Sequence, residues 1–317
     1  MNYRRLGRSS VKVSEVAVGG WLTHGRSIGD DITTKIVKKA FDLGINFFDT
    51  ADVYNAGEAE KALAKAIKGI RRDDIFVATK CFFPMSDRPN DRGLSRKHIV
   101  ESVHNSLKRL ETDYVDLMQC HRWDPETRVE ETVRAMDDLI RQGKILYWGV
   151  SEWRSHQIAE AVATAEKLNA HKPVSNQPNY SMLQRYIEES VLPTCDEMGL
   201  GQVVFSPLAQ GALTGKYKPG QAPPAGTRGA DEKSNMFMGG VLTDEVLTRI
   251  GKLEAFAKDK GAPSLAAFAL AWCLRNAGVS SVIIGATRPE QVEENAKASG
   301  LTYDNEVWTE AEAILAS

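Results

Sequence analysis

Eight short runs rich in Val, Ile and Phe alternate with longer segments of helical period between about residues 14 and 299. The runs are Val16–Gly19, Asn46–Asp49, Ile75–Lys80, Val115–His121, Leu146–Ser151, Pro173–Asn176, Gln202–Ser206 and Ser281–Gly285. Strands that alternate with helices pair in parallel through helical crossovers. Eight such units with no Pro/Gly-rich linker between them favour a closed (β/α)8 TIM barrel over two doubly wound domains. The expected class is therefore α/β, with residues 1–317 forming one barrel domain.

The helical segments carry their own start and stop signals. Asp31–Leu43 places Ile32, Ile36, Ala40 and Leu43 near one face and stops before Gly44. Ser95 is positioned to cap Arg96–Leu110, with His98 at the third helical position. Leu265–Asn276 is apolar on most sides, as a helix packed on a barrel wall would be. Two segments break the rhythm. Tyr3–Leu6 and Val11–Val13 read as a hairpin turning at Gly7–Ser10, expected to cap the N-terminal end of the barrel. Residues 211–240 form a long loop between strands seven and eight, placed to close over a ligand at the barrel's C-terminal face.

Bulk properties narrow the function. A net charge of −2 gives no electrostatic case for nucleic acid or an anionic membrane. No run approaches the ~18 apolar residues of a membrane span, and the first residues lack a signal-peptide apolar core. Cys81, Cys120, Cys195 and Cys273 are scattered without a CxxC pair, which suits a reduced, cytoplasmic protein. There is no HxxxH, HExxH or paired-cysteine spacing for a metal, and no GxSxG nucleophile motif.

Barrel strands deliver their C-terminal residues to one mouth. Asp49, Lys80 and His121 stand at such ends, and Tyr54 follows Asp49 in a loop long enough to bend its phenol back. A phenol is a poor acid at neutral pH, but an adjacent ammonium stabilises the phenolate and a carboxylate can hold the ammonium in place. Lys80 and Asp49 fit those two parts, and His121 can donate to a carbonyl oxygen. Taken singly, each has an ordinary structural reading as a cap, a solvated terminus or a core histidine. Their placement together on consecutive strands points to carbonyl chemistry.

Five motifs, in order along nearly the whole chain, carry a resemblance to a known family. They are Asn46-Phe47-Phe48-Asp49-Thr50-Ala51-Asp52-Val53-Tyr54 with Gly57-Glu58-Ala59-Glu60; Thr79-Lys80; Tyr114-Val115-Asp116-Leu117 with His121; Gly143-Lys144-Ile145 with Gly149-Val150-Ser151; and Ser206-Pro207-Leu208. On these the chain resembles the aldo-keto reductases. The resemblance implies a (β/α)8 barrel that uses NADPH or NADH, with a catalytic tetrad of Asp49, Tyr54, Lys80 and His121.

Carried over by position, the cofactor residues are Gly20, Trp21 and Asp49, then Ser151, Asn176 and Gln177 towards the nicotinamide carboxamide. Phe205 takes the stacking position, Ser206, Pro207 and Leu208 run towards the pyrophosphate, and Gly211, Lys216 and Arg228 lie on the long loop. The last segment, Gly285 to Asn295, runs from strand eight into a helix N-terminus with Thr287 as cap and Pro289 early in the helix, a setting that favours an anion. Arg288 suits an adenosine 2′-phosphate, which favours NADPH, while Gln291, Glu294 and Asn295 resemble adenine contacts.

Gly20-Trp21, Ala209–Tyr217 and Ser190–Pro193 look closest to the branch of potassium-channel β-subunits and their microbial relatives. Channel subunits generally carry Asn at the fourth tetrad position; His121 here suits an active reductase, and the hairpin starts at once with no long N-terminal extension. The resemblance thus implies an NADPH-dependent enzyme reducing aldehydes or ketones, with an NADP(H)-binding regulatory subunit as the alternative. A homo-oligomer, tetrameric or larger, is expected in either case. Candidate substrate-pocket residues are Trp21, His24, Tyr54, Phe82, His121, Trp123 and Trp153.

Overall fold

The computed structural model describes residues 1–25, 27–231, 235 and 238–316. Two antiparallel strands, β1 (Tyr3–Arg5) and β2 (Lys12–Ser14), precede eight parallel strands: β3 (Val16–Gly19), β4 (Phe47–Asp49), β5 (Phe76–Cys81), β6 (Val115–Cys120), β7 (Ile145–Ser151), β8 (Ser175–Gln177), β9 (Gly201–Val204) and β10 (Val279–Ile284). The eight close into a barrel in chain order, sealed by β10 pairing with β3 at Ile283 opposite Ala17. This is the (β/α)8 fold that the alternation predicts.

Around it run α1 (Asp30–Asp42), α2 (Glu58–Ala66), α3 (Arg96–Leu110), α4 (Val129–Arg141), α5 (Ser155–Lys167), α6 (Val191–Met198), α7 (Asp244–Asp259), α8 (Leu265–Leu274), α9 (Pro289–Ala296) and α10 (Asn305–Ala316). The Ser95 hydroxyl accepts from the His98 backbone N–H, the cap its spacing predicts. Every residue of α8 is buried, as an apolar helix between the barrel wall and outer helices must be.

Strand alternation builds two cores. Phe48, Val77, Met118 and Cys120 face the helices, while Ala17, Phe47, Phe76, Ala78, Leu117, Val203 and Ile283 fill the barrel. Phe47 and Phe76 meet edge to face with ring centroids 5.0 Å apart. The hairpin closes the floor: Leu6 is fully buried in the barrel cluster, and the Arg8 N–H donates to Gly199 O at 2.9 Å. Gly7 makes this approach possible. Its φ is +58°, and a Cβ there would stand 2.3 Å from Gly199 O.

One step of two residues above the apolar layer, the interior becomes polar. Asp49 follows Phe47, Lys80 follows Ala78, Gln119 follows Leu117 and Gln177 follows Ser175, all towards the C-terminal mouth. The long loop folds into short 3-10 turns at Ala209–Thr214 and Arg228–Ala230, and residues 232–234, 236 and 237 of it lie outside the described residues. No described helix is long and apolar enough to cross a membrane.

Candidate active site

Above the polar layer opens a cavity of about 1240 Å³, running from Asp49, Tyr54 and His121 past Phe205–Gly211 to Arg288 and Asn295. At its base Lys80 is fully buried, with its ammonium 2.5 Å from Asp49 Oδ2. It also donates to Thr50 O at 2.7 Å and to the Tyr54 hydroxyl at 3.4 Å. Asp49 Oδ1 accepts from Gln177 Nε2 at 2.8 Å and from Gln119 Nε2 at 3.4 Å. A buried carboxylate thus has partners on both oxygens, which is what keeps such a pair from being a large net cost. The His121 ring stands edge-on to Tyr54 with centroids 5.7 Å apart, and makes a second edge contact with Phe83 at 4.9 Å.

The electrostatics follow from burial. Burial raises the Tyr54 phenol above its ordinary value, more than the Lys80 charge lowers it, so the site holds a protonated phenol at neutral pH. This differs from the simple expectation that Lys80 alone would set a depressed value. Burial works to lower Lys80, but Asp49 and Tyr54 outweigh it and hold the ammonium charged. His121 is pushed well below the ordinary histidine value by burial, then by Lys80 and Arg122, so its imidazole is neutral. His24, also at the cavity, drops to about 4 through burial.

Tyr54 reaches the mouth on a turn, Tyr54–Gly57, in which Asn55 and Ala56 have φ of 49° and 52°. Such left-handed conformations cost roughly 1–3 kcal/mol each in residues other than Gly. Leu22, Ser206, Ala209 and Gln210 share them, and with Asn55 all four line the cavity. Beneath the turn, Asp52 accepts from the Ser102 hydroxyl at 2.7 Å, while Glu60 accepts from Thr79 and from Arg109 Nε, each at 2.5 Å. Helix α3 therefore braces the segment that carries the phenol.

Most residues singled out in the sequence meet at this cavity: Gly20, Trp21, Ser151, Gln177, Phe205, Ser206, Pro207, Leu208, Gly211, Lys216, Arg228, Gly285, Thr287, Arg288, Gln291, Glu294 and Asn295 line it with three of the tetrad, and Lys80 lies just beneath. Asn176 does not. Strand β8 runs from Ser175 to Gln177, one residue past the predicted end at Asn176, and neighbours on a strand face opposite ways: Gln177 turns inward and Asn176 outward, where it donates to Gln202 Oε1 at 3.1 Å. The same parity error separates Phe82, packed in the helix-side core, from Phe83 in the cavity. Trp123 and Trp153 also leave the pocket: they meet edge to face with ring centroids 4.7 Å apart, against the helix-side core. The cap of α9 is Arg288 rather than Thr287, whose N–H and hydroxyl both donate to Gln291 Oε1. Sequence reasoning also passed over Gln119 and Arg122, although Gln119 lies two residues before His121 on one strand face.

The far half of the cavity fits a long polyanion. Lys216, Arg228 and Arg288 are spaced along it, with Arg228 bonded to Gln210 and its guanidinium carbon 5.6 Å from the Trp21 ring centre. Gly285 leaves open space, since a Cβ there would meet nothing within 4 Å, and Phe205 offers a flat apolar face at the tetrad end. These are features a nicotinamide dinucleotide requires.

Residues 15–316 match the model of the Aldo/keto reductase family. An Arabidopsis thaliana protein named as a probable voltage-gated potassium channel subunit beta is 46% identical over 301 residues, spanning 94% of this chain and 91% of its own. A protein of Oryza sativa subsp. japonica with the same name is 45% identical over the same shares. A Schizosaccharomyces pombe relative, also named for the channel beta subunit, is 43% identical over 304 residues, 93% of this chain and 87% of its own. On the barrel and on these matches, the chain belongs to the aldo/keto reductase family.

Proposed function

We propose that this protein is an NADPH-dependent oxidoreductase that reduces aldehydes or ketones to alcohols, with Tyr54 as general acid. The observation that carries the reading is the contact chain Asp49–Lys80–Tyr54 beneath His121 at the cavity's inner end. A reduced nicotinamide dinucleotide bound along the cavity would supply the hydride. Tyr54 then gives its proton to the carbonyl oxygen. The phenolate left behind is stabilised by the Lys80 ammonium, which Asp49 and Thr50 O hold in place. Neutral His121 donates a hydrogen bond to the same oxygen and orients the substrate. Arg288, exposed at the start of α9, is assigned to the adenosine 2′-phosphate and with it the preference for NADPH.

A second reading is an NADP(H)-binding regulatory subunit, favoured by the names of the relatives. The two readings separate in one assay. Oxidation of NADPH, and separately NADH, is followed at 340 nm with pure protein and a panel of aldehydes. Multiple turnover with NADPH preferred supports the reductase; Tyr54→Phe should then lower kcat by about 10²- to 10⁴-fold with cofactor binding kept. A Tyr54→Phe protein with wild-type rates would sink the assignment. Tight NADPH binding without multiple turnover on any aldehyde would favour the regulatory reading.

A further inference from the structure

Arg122 is a cation at the tetrad end of the cavity that neither the proton relay nor the dinucleotide assignment uses. Its Nη1 donates to His121 O at 2.5 Å and to Ser151 Oγ at 3.4 Å, which fixes the plane of the guanidinium. Phe83 supports it, with the guanidinium carbon 5.5 Å from the ring centre. Among the described residues, no carboxylate pairs with it, and Nε and Nη2 have no acceptor. The Glu152 carboxylate, at the end of the neighbouring strand, accepts instead from Asn179 N–H at 2.6 Å and the Tyr186 hydroxyl at 2.8 Å. Nor are the spare donors sealed in the interior: Arg122 is only half-buried and lines the cavity.

The charge around it is unbalanced. Arg122, Lys216, Arg228 and Arg288 line the cavity against Asp49 and Glu294, and Lys80 already neutralises Asp49. The three other cations lie towards the dinucleotide's phosphates. Arg122 stands beside the Tyr54–His121 pair instead, close enough that its charge favours ionisation of the Tyr54 phenol. A guanidinium edge formed by Nε and Nη2 presents parallel donors that match a carboxylate bidentately.

We infer that Arg122 is a specificity-determining residue that selects carbonyl substrates bearing an anionic group, a carboxylate above all, on the same small molecule as the aldehyde or ketone. The inference rests on the reductase reading above. In it, the fixed Nη1 holds the residue on the scaffold while the free edge takes the substrate's anion, which orients the carbonyl towards Tyr54 and His121.

The experiment compares kcat/KM for acid and methyl-ester pairs: glyoxylate and methyl glyoxylate, succinic semialdehyde and its methyl ester, and 4-carboxybenzaldehyde and methyl 4-formylbenzoate. The wild-type protein should favour the acid in at least one pair. Arg122→Met should lower that acid-to-ester ratio by about 10- to 100-fold, the worth of a charge-assisted bidentate bond, and Arg122→Lys should recover part of it. Because the readout is a ratio on one protein, a general loss of folding or cofactor affinity cancels. Turnover of esters and acids alike, or a ratio unchanged in Arg122→Met, overturns the inference and leaves the reductase standing. Absence of turnover on every pair and every neutral aldehyde removes the reductase reading itself.

Discussion

The pair at the base of the cavity gives the sharpest test of how this site is held together. Lys80 Nζ and Asp49 Oδ2 are 2.5 Å apart and both buried. At an effective dielectric of 20, that separation corresponds to roughly 6–7 kcal/mol of attraction. Desolvating the two ions costs several kcal/mol each, so the intact pair is close to balanced. Removing one partner leaves the other charged and buried. Lys80→Met strands the Asp49 carboxylate with only the Gln177 and Gln119 amides, and Asp49→Asn strands the ammonium with Thr50 O and Tyr54. Each single change should cost about 3–5 kcal/mol in urea unfolding. The double variant Asp49→Asn/Lys80→Met should cost less than the sum by at least ~2 kcal/mol, because neither charge is then orphaned. In the turnover assay each single change should remove about 10²-fold or more of kcat, and the double should be little worse than the poorer single. Additivity within about 0.5 kcal/mol, with full activity in either single variant, would refute the coupled relay.

Two other perturbations address the fold that carries the site. Leu6→Ala, at the sealed floor of the barrel, should destabilise the protein by about 2–5 kcal/mol in denaturant unfolding; a loss under ~1 kcal/mol would mean the hairpin does not plug the barrel. Asp52 supplies a pH signature: burial raises its carboxyl from 3.8 to about 7, partly offset by the Ser102 hydroxyl, with Glu60 raising it further. A raised carboxyl binds its proton more tightly folded than unfolded, so stability falls as pH rises from about 4 to about 7 and the loss levels off above that. The whole effect is on the order of 4 kcal/mol. Asp52→Asn should flatten the Tm-against-pH curve over that window, and an unchanged slope would reject the buried acid as its source.

What the sequence made legible was whatever obeys a period. All eight barrel strands, the hairpin and the Ser95 cap could be read because apolar alternation and capping chemistry are local. The errors are errors of parity or of tertiary reach. Assigning both Asn176 and Gln177 to the ligand ignores that neighbours on a strand face opposite ways, so that only Gln177 lines the cavity, and one residue of phase likewise exchanges Phe82 for Phe83. Gln119 was available to the same rule, by stepping back two from His121, but an amide carries no chemical signal that draws attention to it. Trp123 and Trp153 were misplaced because an aromatic after a strand end can turn towards the ligand or back onto the helices, and only packing decides. The brace from Arg109 and Ser102 on α3 to Glu60 and Asp52 joins residues 49 and 50 apart in the chain, beyond any periodic signal.

That brace and the strained turn above it belong to one arrangement. Tyr54 must leave the end of β4 and return over Lys80, and the turn does so through Asn55 and Ala56 at positive φ rather than through glycines. Gly57 follows at φ +90°, where a Cβ would stand 2.6 Å from the Arg109 side chain. Strain of this kind persists only where surrounding contacts over-determine it. Here they do so from two directions: Glu60 is fixed to Arg109 and Thr79 on one side, and Asn55 Nδ2 bonds Gly25 O on the other. The polar layer inside the barrel then fixes Lys80 from below. A phenol braced by these elements needs little rearrangement if charge develops on it, and preorganisation of that kind is what the proposed role of Tyr54 as general acid requires of a buried, raised-pKa tyrosine.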